Sequence, residues 1–424
     1  MDYMALKAQN RALNSQEIRA GVGRLKSKPV TFAFEICGPC NLQCRHCGFQ
    51  KFGRTSDQQV SETVYAEVLS ALMPTAYLCY LGGSNWGEMT LGKHFHRFLR
   101  DAQKFSVRIS LTTNGTRMLD VWFDDLLDTL AVIGFSMEGI NEEFEKLRGF
   151  RWRHFLKNVE RVCQGRADHH KHFRVEWRYC AHADSIHQLP DMIRLARSVG
   201  VDRIQVMNLV PYMPSQKYKS LFYHRSLANQ YFAESRRVAT ALNFDINIPP
   251  DFALGDFGKN SLRQTPEASQ TPTEAPAPDD GCQSLSGSDS CVMVNCYRPW
   301  QTCVIDELGN VRPSSVYWRL MGNLHASSFA SVWNGSKYRR LRAAVNTKPD
   351  RICHSCRMPQ FDSEENRAAM QLVPSVKQML KGSATSLLAS PKVTFVGIMD
   401  KDFDPQHDYT FSGGSPTVAI PTIP

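Results

Sequence analysis

The sequence predicts an α/β protein whose parallel sheet is covered by helices and followed by a smaller C-terminal domain. Short apolar stretches alternate with amphipathic helical patterns from residue 31 to about residue 250. Nearly continuous apolar strands joined by helical crossovers are typical of parallel sheets that are buried on both faces. The 424 residues are 42% hydrophobic and 21% charged, which is ordinary for a globular protein with a sizeable core. We therefore expect the chemistry at the carboxyl ends of the strands.

Six strands are predicted, and each is followed by a helical pattern. The strands are residues 31–36, 77–81, 107–113, 132–137, 173–180 and 203–210. Helices are predicted between them, for example over 62–73 and over 189–200, where Gly200 is a plausible C-cap. A sheet built from such units either opens out or curls into a full or partial barrel.

Composition divides the rest of the chain into segments. We expect an N-terminal helical extension over residues 1–29 and the sheet domain over residues 30–257. Residues 258–290 are rich in Pro, Ser, Thr and acidic side chains, which is typical of a flexible linker. A compact cysteine-bearing region is expected over residues 291–372, followed by a C-terminal tail of little periodicity over residues 373–424.

Charge and hydropathy limit the partners and the compartment. No apolar run is long enough to span a bilayer, and the N-terminus lacks the apolar core of a secretory signal, so we expect a cytoplasmic protein without a membrane partner. In that reducing compartment the thirteen cysteines should stay reduced. The net charge is +9, and the basic stretches 148–155 and 169–178 follow no nucleic-acid-binding module, so we do not expect a nucleic-acid partner.

Three cysteines stand close together just after the first predicted strand. Cys40, Cys44 and Cys47 have spacings of four and three residues. Structural zinc usually takes four ligands in two separated pairs, whereas three clustered thiolates suit an iron–sulfur cluster. A four-iron cluster held by three cysteines leaves one iron open to a small molecule. Cys37 is either an alternative ligand or a buried, inert thiol.

The spacing C-x-x-x-C-x-x-C in "CNLQCRHC" resembles that of the radical S-adenosylmethionine (radical SAM) superfamily. The resemblance implies a partial (βα)6 TIM-like barrel, a [4Fe-4S] cluster and S-adenosylmethionine bound at the open iron. It also implies that one electron from the cluster cleaves S-adenosylmethionine, and that the 5′-deoxyadenosyl radical takes a hydrogen atom from an unactivated C–H bond. Such an enzyme is oxygen-sensitive and uses a low-potential electron donor such as flavodoxin or ferredoxin.

Loops after the later strands also resemble motifs of that family. "LGGSNWGEMTL" resembles its Gly-Gly-Glu-Pro loop, which assigns cofactor binding to Gly87 and Glu88, with Met89 in place of proline. "LTTNGT" resembles its Thr-Asn-Gly turn and assigns the same role to Asn114. "FSMEGINEEFEKLRG" resembles its Ser-x-Asp-Gly stretch, in which Glu138 replaces the aspartate and Ser136 is the assigned cofactor contact. Each motif alone is common turn chemistry. The resemblance to the radical SAM family therefore rests on finding these motifs together at the ends of successive strands.

The region from Cys296 onward resembles a C-terminal SPASM or twitch domain. It has a Cys-x-x-Pro-Trp start, a hairpin with a Gly-Asn turn at Gly309, a "VWNGSKYRRLR" helix and a closing C-x-x-C. The resemblance implies at most one auxiliary [4Fe-4S] cluster, with Cys296, Cys353 and Cys356 as its ligands. It would be the second cluster of the chain.

The fourth ligand of that auxiliary cluster stays open. Ser314 stands where the family has a cysteine. Cys303 is a possible fourth ligand, and Ser314 or a substrate group is another. A third alternative is that the cluster is lost, leaving a substrate-binding cap or a zinc site. Cys282 and Cys291 are expected to be free thiols.

We expect a radical SAM enzyme that acts on a polar small molecule, for example a carbohydrate-like one. The reason is that only about thirty residues precede the barrel, and nothing there resembles a peptide-recognition domain. A peptide- or protein-modifying maturase is the alternative. A non-catalytic iron–sulfur or metal-binding protein is the rival from another class. No catalytic residue is assigned beyond the cofactor ligands.

Overall fold

One sheet organises the chain in the computed structural model, which describes residues 2–48, 58–82, 87–209, 211, 214–252, 254, 296–348, 350 and 352–353. The predicted linker 258–290 and tail 373–424 lie outside these residues. The strands are β1 (Thr31–Phe34), β2 (Leu78–Leu81), β3 (Arg108–Thr113), β4 (Leu130–Met137), β5 (Arg174–Ala181), β6 (Arg203–Asn208), β7 (Asp245–Asn247), β8 (Val304–Ile305), β9 (Asn310–Arg312) and β10 (Gly322–Asn323).

The strand order is β10-β9-β8-β1-β2-β3-β4-β5-β6-β7. Each strand from β1 to β7 runs parallel to the next, so the six predicted βα units form the predicted partial barrel and the short β7 follows them. The C-terminal hairpin continues the same sheet, because β8 pairs in parallel with β1 and β9 and β10 add antiparallel strands. Among the described residues β7 and β10 are the two edges, so the barrel does not close on itself.

Helices cover one face of this sheet, and none of those described is both long and apolar enough to cross a bilayer. They are α1 (Tyr3–Arg19), α2 (Glu62–Ala71), α3 (Phe95–Lys104), α4 (Asp120–Thr129), α5 (Asn141–Arg148), α6 (Trp152–Asp168), α7 (Leu189–Val199), α8 (Pro214–Lys217), α9 (Arg225–Leu242), α10 (Arg298–Gln301), α11 (Phe329–Trp333) and α12 (Ser336–Ala344). Gly200 caps α7 with φ +85°, as the sequence predicts. The single helix predicted in "VWNGSKYRRLR" is wrong, because Asn334 and Gly335 separate α11 from α12.

The two faces of the sheet differ in chemistry. On the helix-covered face, Phe135 of β4 contacts Phe155 of α6 at a ring distance of 5.9 Å, and Trp177 of β5 contacts Trp152 at 6.3 Å. Because side chains alternate along a strand, the residues next to these point to the other side. We call that side the inner face. It carries polar side chains such as Ser136.

Arg178 shows how the inner face is packed. Its guanidinium lies across Gly134 of β4 and donates a hydrogen bond to Thr112 Oγ1 of β3. A Cβ atom on Gly134 would overlap the Arg178 side chain, so a larger residue here would have to displace that guanidinium. Arg178 also lies 3.5 Å from a carboxylate oxygen of Glu176, two positions earlier on the same strand.

The N-terminal segment packs on the C-terminal region at the β1 edge of the barrel. Trp300 Nε1 donates to the carbonyl of Val22 at 2.9 Å, and Asn14 Nδ2 donates to the carbonyl of Trp300 at 2.7 Å. Arg342 of α12 donates to the carbonyl of Gly23 at 2.9 Å. The predicted turn between β8 and β9 is present, with Gly309 at φ +77°.

Candidate active site

The three clustered cysteines lie at the carboxyl end of β1, in a segment that we call the cysteine loop (residues 37–47). Cys44 is buried, and Cys40 and Cys47 are half-buried. Burial raises the pKa of the Cys44 thiol to about 12, and the nearby Arg148 guanidinium opposes that rise. The charges of Cys40 and Cys47 also act on Cys44, so both side chains lie within electrostatic range of it.

The carboxylate of Glu88 lies buried between the loops that follow β2 and β3. Its Oε1 accepts hydrogen bonds from Thr90 Oγ1 at 2.7 Å and from Thr113 Oγ1 at 2.8 Å. The Asn114 backbone N–H donates to Oε2 at 2.7 Å, and the Thr90 N–H adds a fourth bond at 3.3 Å. A carboxylate has about four acceptor positions. Three of the four bonds fall on Oε1 and one on Oε2, so Oε2 keeps an acceptor position.

Gly87 meets the start of the cysteine loop. Its backbone lies so near that loop that a Cβ atom would stand 2.3 Å from the Cys37 carbonyl oxygen. The Glu88 N–H donates to the Pro39 carbonyl at 2.8 Å, and Cys37 Sγ donates to the Glu88 carbonyl at 3.1 Å. Cys37 is fully buried, and burial raises the pKa of its thiol to about 12, which fits an inert core thiol. The inserted "SNW" (84–86) lies outside the described residues.

Asn114 connects the β3 loop to the cysteine loop. Its Nδ2 donates to Asn41 Oδ1 at 2.9 Å and lies 3.7 Å from Cys40 Sγ. Its Oδ1 accepts from Thr116 Oγ1 at 2.7 Å. A second bond from Asn41 Nδ2 to Thr116 Oγ1, at 2.9 Å, closes the network. The predicted site residue Asn114 is thus held against the first cysteine.

Glu138 and Arg148 form a buried ion pair that the sequence analysis missed. Arg148 Nε lies 2.5 Å from Glu138 Oε2, and Nη2 lies 2.8 Å from Oε1. His46 Nε2, inside the cysteine loop, lies 2.9 Å from Oε1 of the same carboxylate. Burial raises the pKa of Glu138, but Arg148 and His46 outweigh it and hold that pKa far below its usual range. Ser136, two residues earlier, is half-buried on the inner face.

The only sequence signal for this network is the Arg-Gly that ends α5. Gly149 takes φ +69° as the C-cap, which turns the chain directly after Arg148. Cys180 lies half-buried on the inner face and within electrostatic range of Cys47. The "HHKH" stretch at 169–172 is largely exposed.

The cysteine loop fits a cysteine-bound anionic cluster. An amide N–H reaches Cys40 Sγ and a guanidinium faces Cys44, and both kinds of contact stabilise thiolate-bound iron. Nδ1 of His46 is buried and has no hydrogen-bond partner in the part of the chain that the structure describes. In that part, no three His, Cys, Asp or Glu side chains meet as ligands of a single ion.

The predicted auxiliary site is only partly described. Cys353 lies half-buried near Tyr317, whose backbone N–H donates to Ser314 Oγ at 3.2 Å. Cys296 is half-buried beside Asn346, whose Oδ1 accepts from its N–H at 2.5 Å. Cys356, Cys282 and Cys291 lie outside the described residues.

The structure does not support Cys303 as the fourth ligand of that site. Cys303 is fully buried in the apolar core, within electrostatic range of Cys79 and Tyr338. The next residue, Val304, pairs with Ala33 and points to the inner face, as Ser314 does. Alternation along the strand therefore directs Cys303 to the opposite face.

Two family models match the chain. The model of the radical SAM superfamily matches residues 35–175, and that of an iron–sulfur cluster-binding domain, SPASM, matches residues 296–357. The chain is 26% identical over 202 residues to the tungsten-containing aldehyde ferredoxin oxidoreductase cofactor-modifying protein of Pyrococcus furiosus. That match covers 43% of this chain and 52% of the relative, so the chain spans about half the relative's length.

A second relative and a solved structure are also similar. The PqqA peptide cyclase of Bradyrhizobium diazoefficiens is 22% identical over 275 residues, which is 62% of this chain and 69% of the relative. The crystal structure of Streptococcus suis SuiB bound to S-adenosylmethionine has a TM-score of 0.50 at 14% identity. The match covers 79% of this chain and 70% of the SuiB chain, and this similarity shows that the two chains share a fold.

Proposed function

Because the chain is a radical SAM enzyme with a C-terminal SPASM region, we propose that it modifies a peptide or protein substrate. The observation that carries this proposal is the similarity to a PqqA peptide cyclase over 275 residues and 69% of that relative. The match to the cofactor-modifying protein is shorter and covers 52% of it. Neither relative's name points to a carbohydrate, so the peptide alternative replaces the small molecule expected from the sequence.

Cys40, Cys44 and Cys47 are the proposed ligands of the [4Fe-4S] cluster. When bound, the reduced cluster and S-adenosylmethionine supply one-electron chemistry that removes a hydrogen atom from an unactivated carbon. Asn114 presents an amide N–H to Cys40 and fixes that ligand through Asn41. A flavodoxin or ferredoxin is the proposed electron donor.

Glu88 and Glu138 act as positioning residues in this proposal. Glu88 joins the loops after β2 and β3 to the start of the cysteine loop through its carboxylate and its backbone. Glu138 holds His46, near the end of the same loop, while Arg148 balances its charge. Gly87 keeps the loops close, and Ser136 stays a candidate cofactor contact on the inner face.

The test is substrate-coupled cleavage of S-adenosylmethionine. Anaerobically reconstituted enzyme is given dithionite, S-adenosylmethionine and synthetic peptides encoded by short reading frames beside its gene. We expect 5′-deoxyadenosine release to rise with one peptide and that peptide to change mass in proportion. The variant with Cys40, Cys44 and Cys47 replaced by Ala should do neither, whereas Cys163→Ala, at a core thiol, should do both. The peptide proposal would be refuted if a carbohydrate stimulated the release of 5′-deoxyadenosine while every peptide kept its mass.

A further inference from the structure

An exposed segment borders the cysteine loop at the carboxyl end of the barrel strands. It comprises residues 214–225, between β6 and the first residue of α9, and we call it the rim segment. Gln216 Nε2 donates to the carbonyl of Arg45, inside the cysteine loop, at 2.9 Å. The Ala183 N–H, in the loop after β5, donates to the Lys219 carbonyl at 2.9 Å. The rim segment is therefore attached both to the barrel and to the loop that carries the three cysteines.

Three aromatic side chains of the rim segment lie side by side on the surface. Tyr218 is 69% exposed, Phe222 is 54% exposed and Tyr223 is 47% exposed. The ring centroids of Tyr218 and Tyr223 are 6.0 Å apart, and those of Phe222 and Tyr223 are 5.5 Å apart. The guanidinium of Arg225 lies 4.2 Å from the Phe222 ring centroid. Contiguous exposed apolar surface marks interaction sites, and tyrosine and arginine are enriched at the energetic centres of protein interfaces.

The rim segment is also basic. It contains no Asp or Glu, and its basic residues are Lys217, Lys219, His224 and Arg225. Lys219 Nζ lies 2.7 Å from a carboxylate oxygen of Asp184, in the loop after β5. Arg45 adds an exposed cation from the cysteine loop itself. Complementary charge steers association, so this surface favours an acidic partner.

We propose that the rim segment and Arg45 form the docking surface for an acidic electron-donor protein. This inference rests on the proposed function, because the cluster held by the three cysteines must receive one electron from outside the chain. The donor loses that electron, as a flavin hydroquinone does when it becomes a semiquinone, and no bond forms or breaks between the two proteins.

The position of the rim segment favours a donor over other partners. Electron transfer slows steeply with distance, so a donor has to bind where the cluster ligands come near the surface. Arg45 is exposed and stands between the buried Cys44 and the half-buried Cys47, so the rim segment adjoins the part of the chain that holds two of the ligands. Transient electron-transfer interfaces are also small, which fits a surface of three rings and a few cations.

The test compares two reductants of the full-length, anaerobically reconstituted protein. One is the hydroquinone of a flavodoxin with net negative charge, and the other is dithionite, a small ion that needs no docking surface. Stopped-flow absorbance follows reduction of the cluster without S-adenosylmethionine or peptide, and calorimetry measures the affinity for oxidised flavodoxin. We expect wild type to bind flavodoxin and to bind it more weakly as salt is added.

Phe222→Ser combined with Lys219→Gln, the rim variant, removes one exposed ring and one exposed cation. We expect it to bind flavodoxin about tenfold more weakly and to accept electrons from it more slowly, with unchanged reduction by dithionite. The matched control combines Trp318→Ser with Arg319→Gln, between β9 and β10 at the other end of the sheet. Trp318 is 66% exposed, and Arg319, like Lys219, has an acidic neighbour, Asp350 at 3.7 Å. This control should match wild type, and equal circular-dichroism melting curves will show that the variants fold alike.

Equal flavodoxin binding and reduction in wild type and the rim variant would overturn the proposal. So would an equal loss in the control, or a wild type that binds no flavodoxin. A rim variant that keeps flavodoxin binding but no longer modifies peptide with dithionite would show that this surface receives the substrate instead. Because reduction is measured without peptide, the docking proposal can fail while peptide modification with dithionite succeeds, and the reverse holds too.

Discussion

Oε1 of Glu138 is shared by two nitrogen atoms from different elements, with Arg148 Nη2 at 2.8 Å and His46 Nε2 at 2.9 Å. Arg148 ends α5 and His46 belongs to the cysteine loop, so one buried oxygen joins the end of β4 to both. The backbone adds a parallel link, because the Arg45 N–H donates to the Leu147 carbonyl at 2.9 Å. The position of the loop therefore depends on this carboxylate.

Glu138→Gln should destabilise the protein and loosen the cysteine loop. The change leaves the Arg148 charge buried without its partner, which costs about 3–5 kcal/mol in similar buried pairs. Urea unfolding and iron retention under a chelator measure the two effects. Glu143→Gln removes a partner of Lys146 on the partly exposed side of α5, and it should change neither. Equal chelator resistance of Glu138→Gln and wild type would contradict the positioning role.

Asn114→Ala should make the cluster harder to reduce. The N–H near Cys40 Sγ stabilises the more negative, reduced state, so its loss should lower the reduction potential. Redox titration followed by electron paramagnetic resonance measures this shift. Asn158→Ala is the matched control, because its Nδ2 binds the Gly115 carbonyl in the same loop at 2.7 Å. The idea fails if both variants shift the potential equally.

Gly87→Ala should displace the start of the cysteine loop. The new methyl group would stand 2.3 Å from the Cys37 carbonyl oxygen, and such overpacking costs about 1–3 kcal/mol. Because the cysteine loop is displaced, iron content after reconstitution should also fall. Gly23→Ala, where nothing lies within 4 Å of the new atom, should leave iron content unchanged. Full iron loading of Gly87→Ala would show that the loop tolerates the shift.

The three-cysteine variant should separate the two predicted clusters. Wild type should bind about eight irons per chain, and replacing Cys40, Cys44 and Cys47 by Ala should leave about four. Those four should vanish when Cys353→Ala is added, because Cys353 is a proposed auxiliary ligand. Iron analysis with Mössbauer spectroscopy distinguishes these outcomes. About four irons in wild type would indicate that no auxiliary cluster forms.

Lys7 should make stability depend on pH above neutrality. It is fully buried, its ammonium group donates to the Met73 and Ala76 carbonyls, and burial lowers its pKa from 10.5 to about 7. Between these two values the unfolded chain binds more protons than the folded one, so stability should rise with pH. The slope from one such group is at most about 1.4 kcal/mol per pH unit.

Lys7→Met should flatten that slope in urea unfolding from pH 7 to 9.5. Lys104→Met, at an exposed position on α3, is the control and should keep the wild-type slope. Parallel slopes for wild type and Lys7→Met would show that Lys7 keeps an ordinary pKa.

The strands were predictable because the apolar pattern that marks a buried strand is local. β5 runs over Arg174–Ala181 where 173–180 was predicted, and β4 begins at Leu130, two residues before the predicted start at 132. Asn114 was assigned because the turn after β3 resembles a family motif, and the structure holds it against Cys40. In these cases a short segment carries its own signal.

The rest depends on contacts between distant segments. Cys303 was misjudged because β8 has only two residues, too few for an alternation that reveals which face each side chain takes. Glu138, Arg148 and His46 meet only when the loop after β4, the end of α5 and the cysteine loop come together, so the Arg-Gly at the end of α5 does not by itself reveal the network. The sequence also gives no sign that β8 adds to the edge of β1, since strand pairing is a long-range property.

The pairing of β8 with β1 has a consequence for how the chain acquires its structure. Trp300 and the Val22 carbonyl that it binds are 278 positions apart, so the first strand must leave the ribosome long before its outer neighbour is synthesised. Until then, β1 presents a row of unsatisfied backbone groups to any other extended chain. Truncation before Cys296 would make that exposure permanent. We expect the barrel expressed alone to aggregate, and co-expression of residues 296–424 as a separate chain to restore its solubility.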